Sequence, residues 1–155
     1  MIRYPVIDET KLSEVMELID QIDDFIVEKG KEDDDPEIIE RLEKLRELSG
    51  KNDLEIAPFK YYSSYTSLNT AARSVLMPTP VKENLSDEDI RELIQKIAEA
   101  TFDEEVNDYF LNVLRVETGL HNITDYIYNP DEVGMELNAS LEEVIERILA
   151  DRVSV

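Results

Sequence analysis

The chain has 155 residues, 42% of them hydrophobic, and its 16 basic and 37 acidic side chains give a formal net charge of −21 at pH 7. This composition is that of a globular protein and not of a disordered one. The absence of cysteine excludes disulfides and thiolate metal sites. No apolar run reaches the ~18 residues of a membrane span, and the first residues lack a signal-peptide core, so we expect a cytoplasmic protein.

The negative charge is unevenly placed along the chain. Residues 1–50 carry a net charge of −9, residues 51–80 a net charge of +1 and residues 81–155 a net charge of −13. An acidic surface repels phosphates, which argues against nucleic acid as a direct partner. It can instead steer a basic protein toward the chain, although solubility alone also explains such a charge.

Two amphipathic helices are predicted in the first 50 residues. Apolar side chains recur at helical spacing over residues 10–29, and Gly30 supplies a stop signal. Asp35 and Pro36 then form a helix start that runs to Gly50. Two such helices joined by a short charged loop predict a helical hairpin.

Residues 51–65 are rich in aromatic side chains and are interrupted by Pro58. We expect an ordered connector here and not a strand. Few cations flank its aromatic rings, which argues against stacking on nucleic-acid bases. Core packing at the junction of the two parts of the chain is the better interpretation for its three tyrosines, Tyr61, Tyr62 and Tyr65.

A short helix capped by Thr66 or Ser67 is predicted next, ending before the proline pair Pro78 and Pro80. This pair marks the predicted boundary between two parts, residues 1–80 and residues 81–155, with one continuous domain as the alternative.

Three further long helices are predicted beyond the boundary. The first is capped by Ser86, the second runs from a turn at 102–103 to Gly119, and the third opens with a capping box at Ser140. No internal repeat is evident. The predicted fold class is all-α, an N-terminal helical hairpin followed by an antiparallel four-helix bundle-like part with one very short helix.

The most informative stretch lies before the last helix, between Gly119 and Pro130. Here Asp125, Tyr126, Tyr128 and Asn129 fill four of five positions, where ordinary connectors carry small turn residues. Aromatic rings beside a carboxylate on a short segment are typical of a contact surface. The alternative is that one tyrosine packs in the core while Asp125 caps the short helix.

Helical spacing predicts which side chains of this stretch are buried. Ile123 and Ile127 lie four positions apart and are predicted to share the buried face. Tyr126 and Tyr128 would then project elsewhere, which favours the contact surface.

Residues 85–150 resemble the immunity proteins of colicin- and pyocin-type nuclease bacteriocins, small four-helix bundles with a very short third helix. In that family the short helix reads roughly Asp, apolar, Ile, Tyr, Tyr, Pro. Asp125, Ile127, Tyr128 and Pro130 match it. The resemblance implies a stoichiometric inhibitor of a basic nuclease toxin, with Asp125 and Tyr128 as anchors.

The sequence also departs from the family. Asn129 stands in place of the second tyrosine, and the His-Pro pair before the short helix is not reproduced, although His121 lies nearby. Arg115 occupies a region of the second helix where acidic residues commonly set toxin choice. The last helix lacks the family's aromatic residue.

The predicted function is therefore an acidic, non-catalytic binding protein that acts without a cofactor. Acidic side chains of the second helix and of the 103–108 turn would steer a basic partner. The alternatives are a structural or regulatory helical protein of unknown partner and a DNA mimic. The role of residues 1–80 and the oligomeric state stay open. The predicted partner-binding residues are Asp125, Tyr126, Tyr128, Asn129, Asn122, Glu117 and Asp108.

No catalytic or metal-binding residue is predicted. The serines and threonines near the tyrosine cluster lack a glycine elbow and a phosphate loop, and the Glu-x-x-His pattern of di-iron bundles is absent. His121 is the only histidine, so any zinc site would have to be built mainly from carboxylates.

Overall fold

The computed structural model describes residues 2–64 and 66–153 of the chain. These residues form seven α-helices and no β-strand, so the all-α prediction is confirmed. The finer arrangement of a hairpin and a bundle-like part stays a prediction. The helices are α1 (Leu12–Val27), α2 (Pro36–Ser49), α3 (Leu68–Leu76), α4 (Asp87–Ala98), α5 (Glu104–Thr118), α6 (Ile123–Tyr128) and α7 (Leu141–Asp151).

Short 3-10 turns extend or connect the helices at Glu9–Lys11, Ala57–Phe59, Tyr62–Ser64 and Pro130–Val133. No helix in the described part of the chain is both long enough and apolar enough to cross a membrane.

The helices gather into two compact units. The first unit spans Val6–Pro78 and contains α1 to α3. The second unit runs from Thr79 onward, contains α4 to α7, and also includes the residues before Val6. The sequence predicted a division after residue 80, and the structure divides the chain after Pro78. The sequence did not indicate that residues 2–5 belong to the second unit.

Helix ends lie where local sequence signals predict them. The side chain of Asp35 accepts a hydrogen bond from the backbone two residues on, at the start of α2. Ser67, Ser86 and Ser140 each accept one from the backbone three residues on, at the starts of α3, α4 and α7. These bonds pair N–H groups that a helix start otherwise leaves without a partner.

The core of the first unit is centred on α1, which contacts both α2 and α3. Val15, Ile19 and Ile22 are fully buried along its inner stripe, and Leu45 of α2 is fully buried in the same core. Burying a Val, Leu or Ile side chain contributes about 1.5–3 kcal/mol each. The predicted apolar stripes are therefore the faces that hold this unit together.

The aromatic connector of the first unit is not uniformly buried. Phe59 and Tyr62 are buried, whereas Tyr61 is 54% exposed. The prediction that the tyrosines pack in the core is thus wrong for Tyr61, whereas the Tyr62 hydroxyl donates a hydrogen bond to Asp20 of α1. The same prediction for Tyr65 falls on a residue outside the described ranges.

In the second unit α4 contacts α5 and α7, and the short α6 also contacts both of these. Ile90, Leu93, Phe110, Leu114 and Ile145 are buried where these helices meet. The helices therefore enclose one core, and α6 forms part of its wall.

The segment before the first helix packs on this second core. The Tyr4 ring lies edge-on to Phe102 and Phe110, with ring centroids 5.9 and 5.5 Å apart. The Lys96 ammonium lies 5.7 Å from the centroid of the Tyr4 ring and 3.3 Å from its hydroxyl. These ring and cation contacts explain why residues 2–5 belong to the second unit.

Candidate functional site

The short helix α6 presents one exposed tyrosine at the surface. Tyr128 is 50% exposed, and within the described part of the chain its hydroxyl makes no hydrogen bond. Asp125 lies three positions earlier, so the two side chains share a face of the helix. Pro130 and Ile123, which flank this face, are buried and hold the helix on the unit.

Tyr126 lies on the inner face of α6, which corrects the sequence prediction. It is 6% exposed, whereas Ile127, which was expected to be buried, is only half-buried. The Tyr126 hydroxyl donates a hydrogen bond of 2.7 Å to the carboxylate of Asp151 in α7, which also accepts one of 2.9 Å from Arg147. Because α7 offers this partner, Tyr126 and not Ile127 takes the inner position.

The Tyr126 hydrogen bond also favours the ionised form of Asp151. The hydroxyl of Tyr126, and then the guanidinium of Arg147, hold the pKa of Asp151 below its usual value. Burial and the same hydrogen bond raise the pKa of Tyr126. A neutral tyrosine and an ionised aspartate therefore anchor α6 on α7, and Tyr126 is not part of a free contact surface.

Glu117 is also buried, so it too leaves the predicted contact set. It is 1% exposed, and its two carboxylate oxygens accept backbone hydrogen bonds from Glu83 at 2.8 Å and Leu85 at 2.6 Å. Its side chain fastens the segment before α4 to the end of α5. A buried carboxylate paired in this way has a structural role.

The outer stripe of α5 is joined to the segment before α6 through Arg115. Its guanidinium donates a hydrogen bond of 3.2 Å to the carbonyl of His121 and one of 2.6 Å to the side chain of Asn112. Asp108 lies exposed on the same helix. Partial desolvation, and next the charge of Glu104, raise the pKa of Asp108, while Arg115 acts in the opposite direction. The stripe therefore carries acids that repel one another.

Five of the seven predicted partner-binding residues stay outside the core. Asn122 and Asn129 flank α6 and are exposed, and Asp125 is half-buried beside them. We define the α5–α6 surface as Asp108, Asn122, Asp125, Tyr128 and Asn129. The surrounding stretch, residues 103–132, carries eight acidic side chains and a single basic one. The surface thus combines one aromatic ring, two amides and an excess of carboxylates.

This arrangement can bind but lacks the elements of a metal centre. Among the described residues, no three His, Asp or Glu side chains come together in a group that could hold a metal ion. His121 is exposed, and it is the backbone carbonyl of this residue that Arg115 engages. The chemistry available to the α5–α6 surface is therefore hydrogen bonding, ion pairing and contact with an aromatic ring.

Two further exposed tyrosines were missed by the sequence reasoning, Tyr4 at 56% and Tyr61 at 54%. Tyr61 has a φ of 56°, in the left-handed region that side-chain-bearing residues rarely adopt. Its backbone N–H donates a hydrogen bond of 2.8 Å to the carboxylate of Asp23 in α1. The available signal was the pair of adjacent tyrosines after Pro58.

No protein-family model, curated protein or solved structure matches the chain. The resemblance of residues 85–150 to bacteriocin immunity proteins therefore stays a prediction from the sequence.

Proposed function

We propose that the chain is a cytoplasmic binding protein that inhibits a basic nuclease toxin by stoichiometric occlusion, as its resemblance to bacteriocin immunity proteins implies. The observation that carries the proposal is the half-exposed ring of Tyr128 beside Asp125. Both lie on a short helix whose opposite face is buried in the second unit. Tyrosine is a frequent anchor of protein interfaces, and a carboxylate beside it complements a cationic partner group.

Preorganisation of α6 supports an anchoring role for Tyr128. The helix is held by the Tyr126–Asp151 hydrogen bond and by the buried side chains of Ile123 and Pro130. A tyrosine on a fixed backbone loses little conformational entropy on binding, because only two side-chain torsions remain to be ordered. Most of the contact energy of its ring is then available for affinity.

The surrounding charge supports a cationic partner. The excess of carboxylates over residues 103–132 creates a negative field around the α5–α6 surface. Such a field raises the association rate of a positively charged protein at low salt and weakens as salt screens it. Burial, and next the charge of Glu104, raise the pKa of Asp108, and a bound cationic group would favour its ionised form.

The proposal is tested with the purified chain and a panel of inactivated colicin- and pyocin-type nuclease domains. Isothermal titration calorimetry at low and at moderate salt measures affinity, and a nuclease assay with the active domains measures inhibition. We expect one panel member to bind and to be inhibited. Tyr128→Ala should weaken binding by more than ~2 kcal/mol, or about 30-fold.

A matched control is Val81→Ala, which trims a side chain that is 70% exposed and lies outside the α5–α6 surface. It should leave the affinity unchanged. If no panel member binds at either salt concentration, the proposal is wrong and a structural or regulatory role replaces it.

A DNA mimic is the competing function that the overall charge of −21 favours. A mimic spreads its binding energy over many carboxylates, so it does not depend on one aromatic ring. If four dispersed Glu→Gln substitutions reduce the affinity more than Tyr128→Ala does, the anchored surface is the wrong account.

A further inference from the structure

The two units share one order of elements. Each has two long helices, then a short aromatic segment, then a final helix capped by serine. In each, the second long helix starts after an aspartate and ends at a glycine in the left-handed conformation. The equivalent positions are Asp35, Gly50 and Ser67 in the first unit and Asp103, Gly119 and Ser140 in the second. The expectation of no internal repeat is therefore wrong at the level of elements.

A short sequence pattern supports this equivalence. The second long helix ends in Leu-Arg-x-x-Ser-Gly at residues 45–50 and in Leu-Arg-x-x-Thr-Gly at residues 114–119. Both leucines are fully buried. The hydroxyls of Ser49 and Thr118 each accept a hydrogen bond from the backbone two residues on, at 3.1 and 3.3 Å. The pattern thus forms the same local structure twice.

The two arginines of the pattern make equivalent contacts. Arg46 donates from Nε to the carbonyl of Leu54 at 3.0 Å, and Arg115 donates from Nε to the carbonyl of His121 at 3.2 Å. Each also donates a hydrogen bond of 2.6 Å from Nη1 to the side chain three residues earlier. The acceptor is Glu43 for Arg46 and Asn112 for Arg115. Each arginine therefore ties its helix to the loop that leads into the aromatic segment.

The aromatic segments correspond as well. Tyr62 is buried and donates a hydrogen bond of 2.9 Å to Asp20, just as Tyr126 is buried and donates to Asp151. A second tyrosine of each segment faces outward: Tyr61 is 54% exposed and Tyr128 is 50% exposed. Tyr61 comes before its buried neighbour and Tyr128 after, so Tyr61 resembles the ring that carries the proposed function in its exposure and not in its sequence position.

Tyr61 is held in place by its backbone. Its N–H donates to Asp23, and its carbonyl accepts hydrogen bonds from both the N–H and the hydroxyl of Ser64, at 2.9 and 2.7 Å. These three bonds maintain the left-handed φ of 56°. A conformation that is unfavourable for tyrosine, yet over-determined by its surroundings, is characteristic of functional segments.

The charge around Tyr61 suits the same class of partner. Helix α1, which supplies Asp20 and Asp23, carries five acidic residues and no basic one. Residues 6–78 as a whole carry 18 acidic and 9 basic side chains, a net charge of −9. An exposed tyrosine beside carboxylates on an acidic unit complements a cationic protein surface.

We infer that Tyr61, Asp20 and Asp23 form a second contact surface for a basic nuclease domain, so that one chain binds two such domains. This inference rests on the proposed function. It assigns the first unit a role equivalent to that of the second, at a surface that combines the aromatic segment with the first helix of its unit instead of the second.

Native mass spectrometry of the full-length chain with the panel of inactivated nuclease domains tests the inference. Two nuclease domains per chain are expected. Tyr61→Gly should leave one domain bound and weaken the other at least tenfold, and Tyr128→Ala should do the same at the other surface. Glycine adopts a positive φ freely, so Tyr61→Gly removes the ring without straining the backbone.

The matched control in the first unit is Ile39→Ala, which trims a side chain on α2 that is 45% exposed. It should preserve both bound domains, and unchanged hydrogen exchange over residues 12–27 should show that Tyr61→Gly is folded. One bound domain that depends on Tyr128 but not on Tyr61 overturns the second surface and leaves the proposed function standing.

A single bound domain weakened by both substitutions also overturns it, because the two tyrosines would then serve one interface. No binding by any panel member overturns the inference and the proposed function together.

Discussion

The two units hold their aromatic segments with the same kind of bond but from different helices. In the first unit the hydroxyl of Tyr62 donates to Asp20 of α1, the first helix of that unit. In the second unit Tyr126 donates to Asp151 of α7, the last helix. Each unit has a buried tyrosine whose hydroxyl donates to a carboxylate, and an exposed tyrosine close to it in the sequence. The helix that supplies the carboxylate differs between the two units.

The second unit also has restraints that have no equivalent among the described residues of the first. Glu117 fastens the segment before α4, whereas Leu48 occupies the corresponding position of the repeated pattern. The backbone of Val153 donates a hydrogen bond of 2.8 Å to the carbonyl of Thr118, so Val153 is fixed beside Gly119. The second unit is therefore expected to lose more stability when the end of its second helix is altered.

Glu117→Leu should produce the largest loss, because it installs the residue that the first unit carries. The backbone N–H groups of Glu83 and Leu85 would lose a charged acceptor, which costs about 3 kcal/mol. Hydrogen exchange over α4 and α5 at increasing denaturant measures the change. Glu136→Leu at an exposed site is the control and should stay within ~0.5 kcal/mol of the wild type. Equal effects of the two substitutions would show that Glu117 is not a structural clamp.

The two helix-terminal glycines provide a matched pair with a smaller effect. Gly50 and Gly119 have φ values of 72° and 73°, so alanine is strained at either position by about 1 kcal/mol. A Cβ at Gly119 would also lie 3.0 Å from the Cβ of Val153, whereas nothing lies within 4 Å at Gly50. Thermal unfolding should show that Gly119→Ala is clearly the more destabilising of the two. The reverse order would contradict the close approach of Val153.

Tyr62→Phe tests the buried hydroxyl of the first unit and should cost about 1 kcal/mol near neutral pH. Burial, and next the hydrogen bond to Asp20, raise the pKa of Tyr62 from 10.0 to about 12. Its contribution is therefore complete below the unfolded pKa and is lost as the pH rises from 10 toward 12. The stability of Tyr62→Phe relative to the wild type, followed by denaturant unfolding, should improve over this range. A stability difference between Tyr62→Phe and the wild type that stays constant from pH 10 to pH 12 would show that the raised pKa of Tyr62 does not contribute to stability.

Asp108→Asn should have the smallest effect and the opposite sign. The pKa of Asp108 is raised, so its ionised form destabilises the fold, and its neutral isostere should stabilise the second unit by a few tenths of a kcal/mol at pH 7. The wild type and the variant should converge in stability as the pH falls below the ordinary value of 3.8. The same variant should bind a cationic nuclease domain more slowly, since it removes a steering charge. Differential scanning calorimetry and stopped-flow association measure the two effects.

Local signals in the sequence determined the helices and most of their ends. Asp35, Ser86 and Gly119 mark boundaries because capping bonds join groups within four residues of each other, so the chain carries the whole signal locally. The net negative charge and the presence of a short segment ending at Pro130 could also be predicted from the sequence. The orientation of that segment could not.

Only the tertiary structure decided which of two neighbouring tyrosines faces inward. Tyr62 and Tyr126 are buried because each finds a carboxylate 42 or 25 residues away, and no local pattern encodes that distance. Glu117 is drawn inward by backbone groups 32 and 34 residues before it. Burial of a polar group depends on whether a partner from elsewhere in the chain can replace its bonds to water. The positions of the helices can therefore be predicted from this sequence, whereas tertiary packing determines which aromatic rings stay exposed on its candidate surfaces.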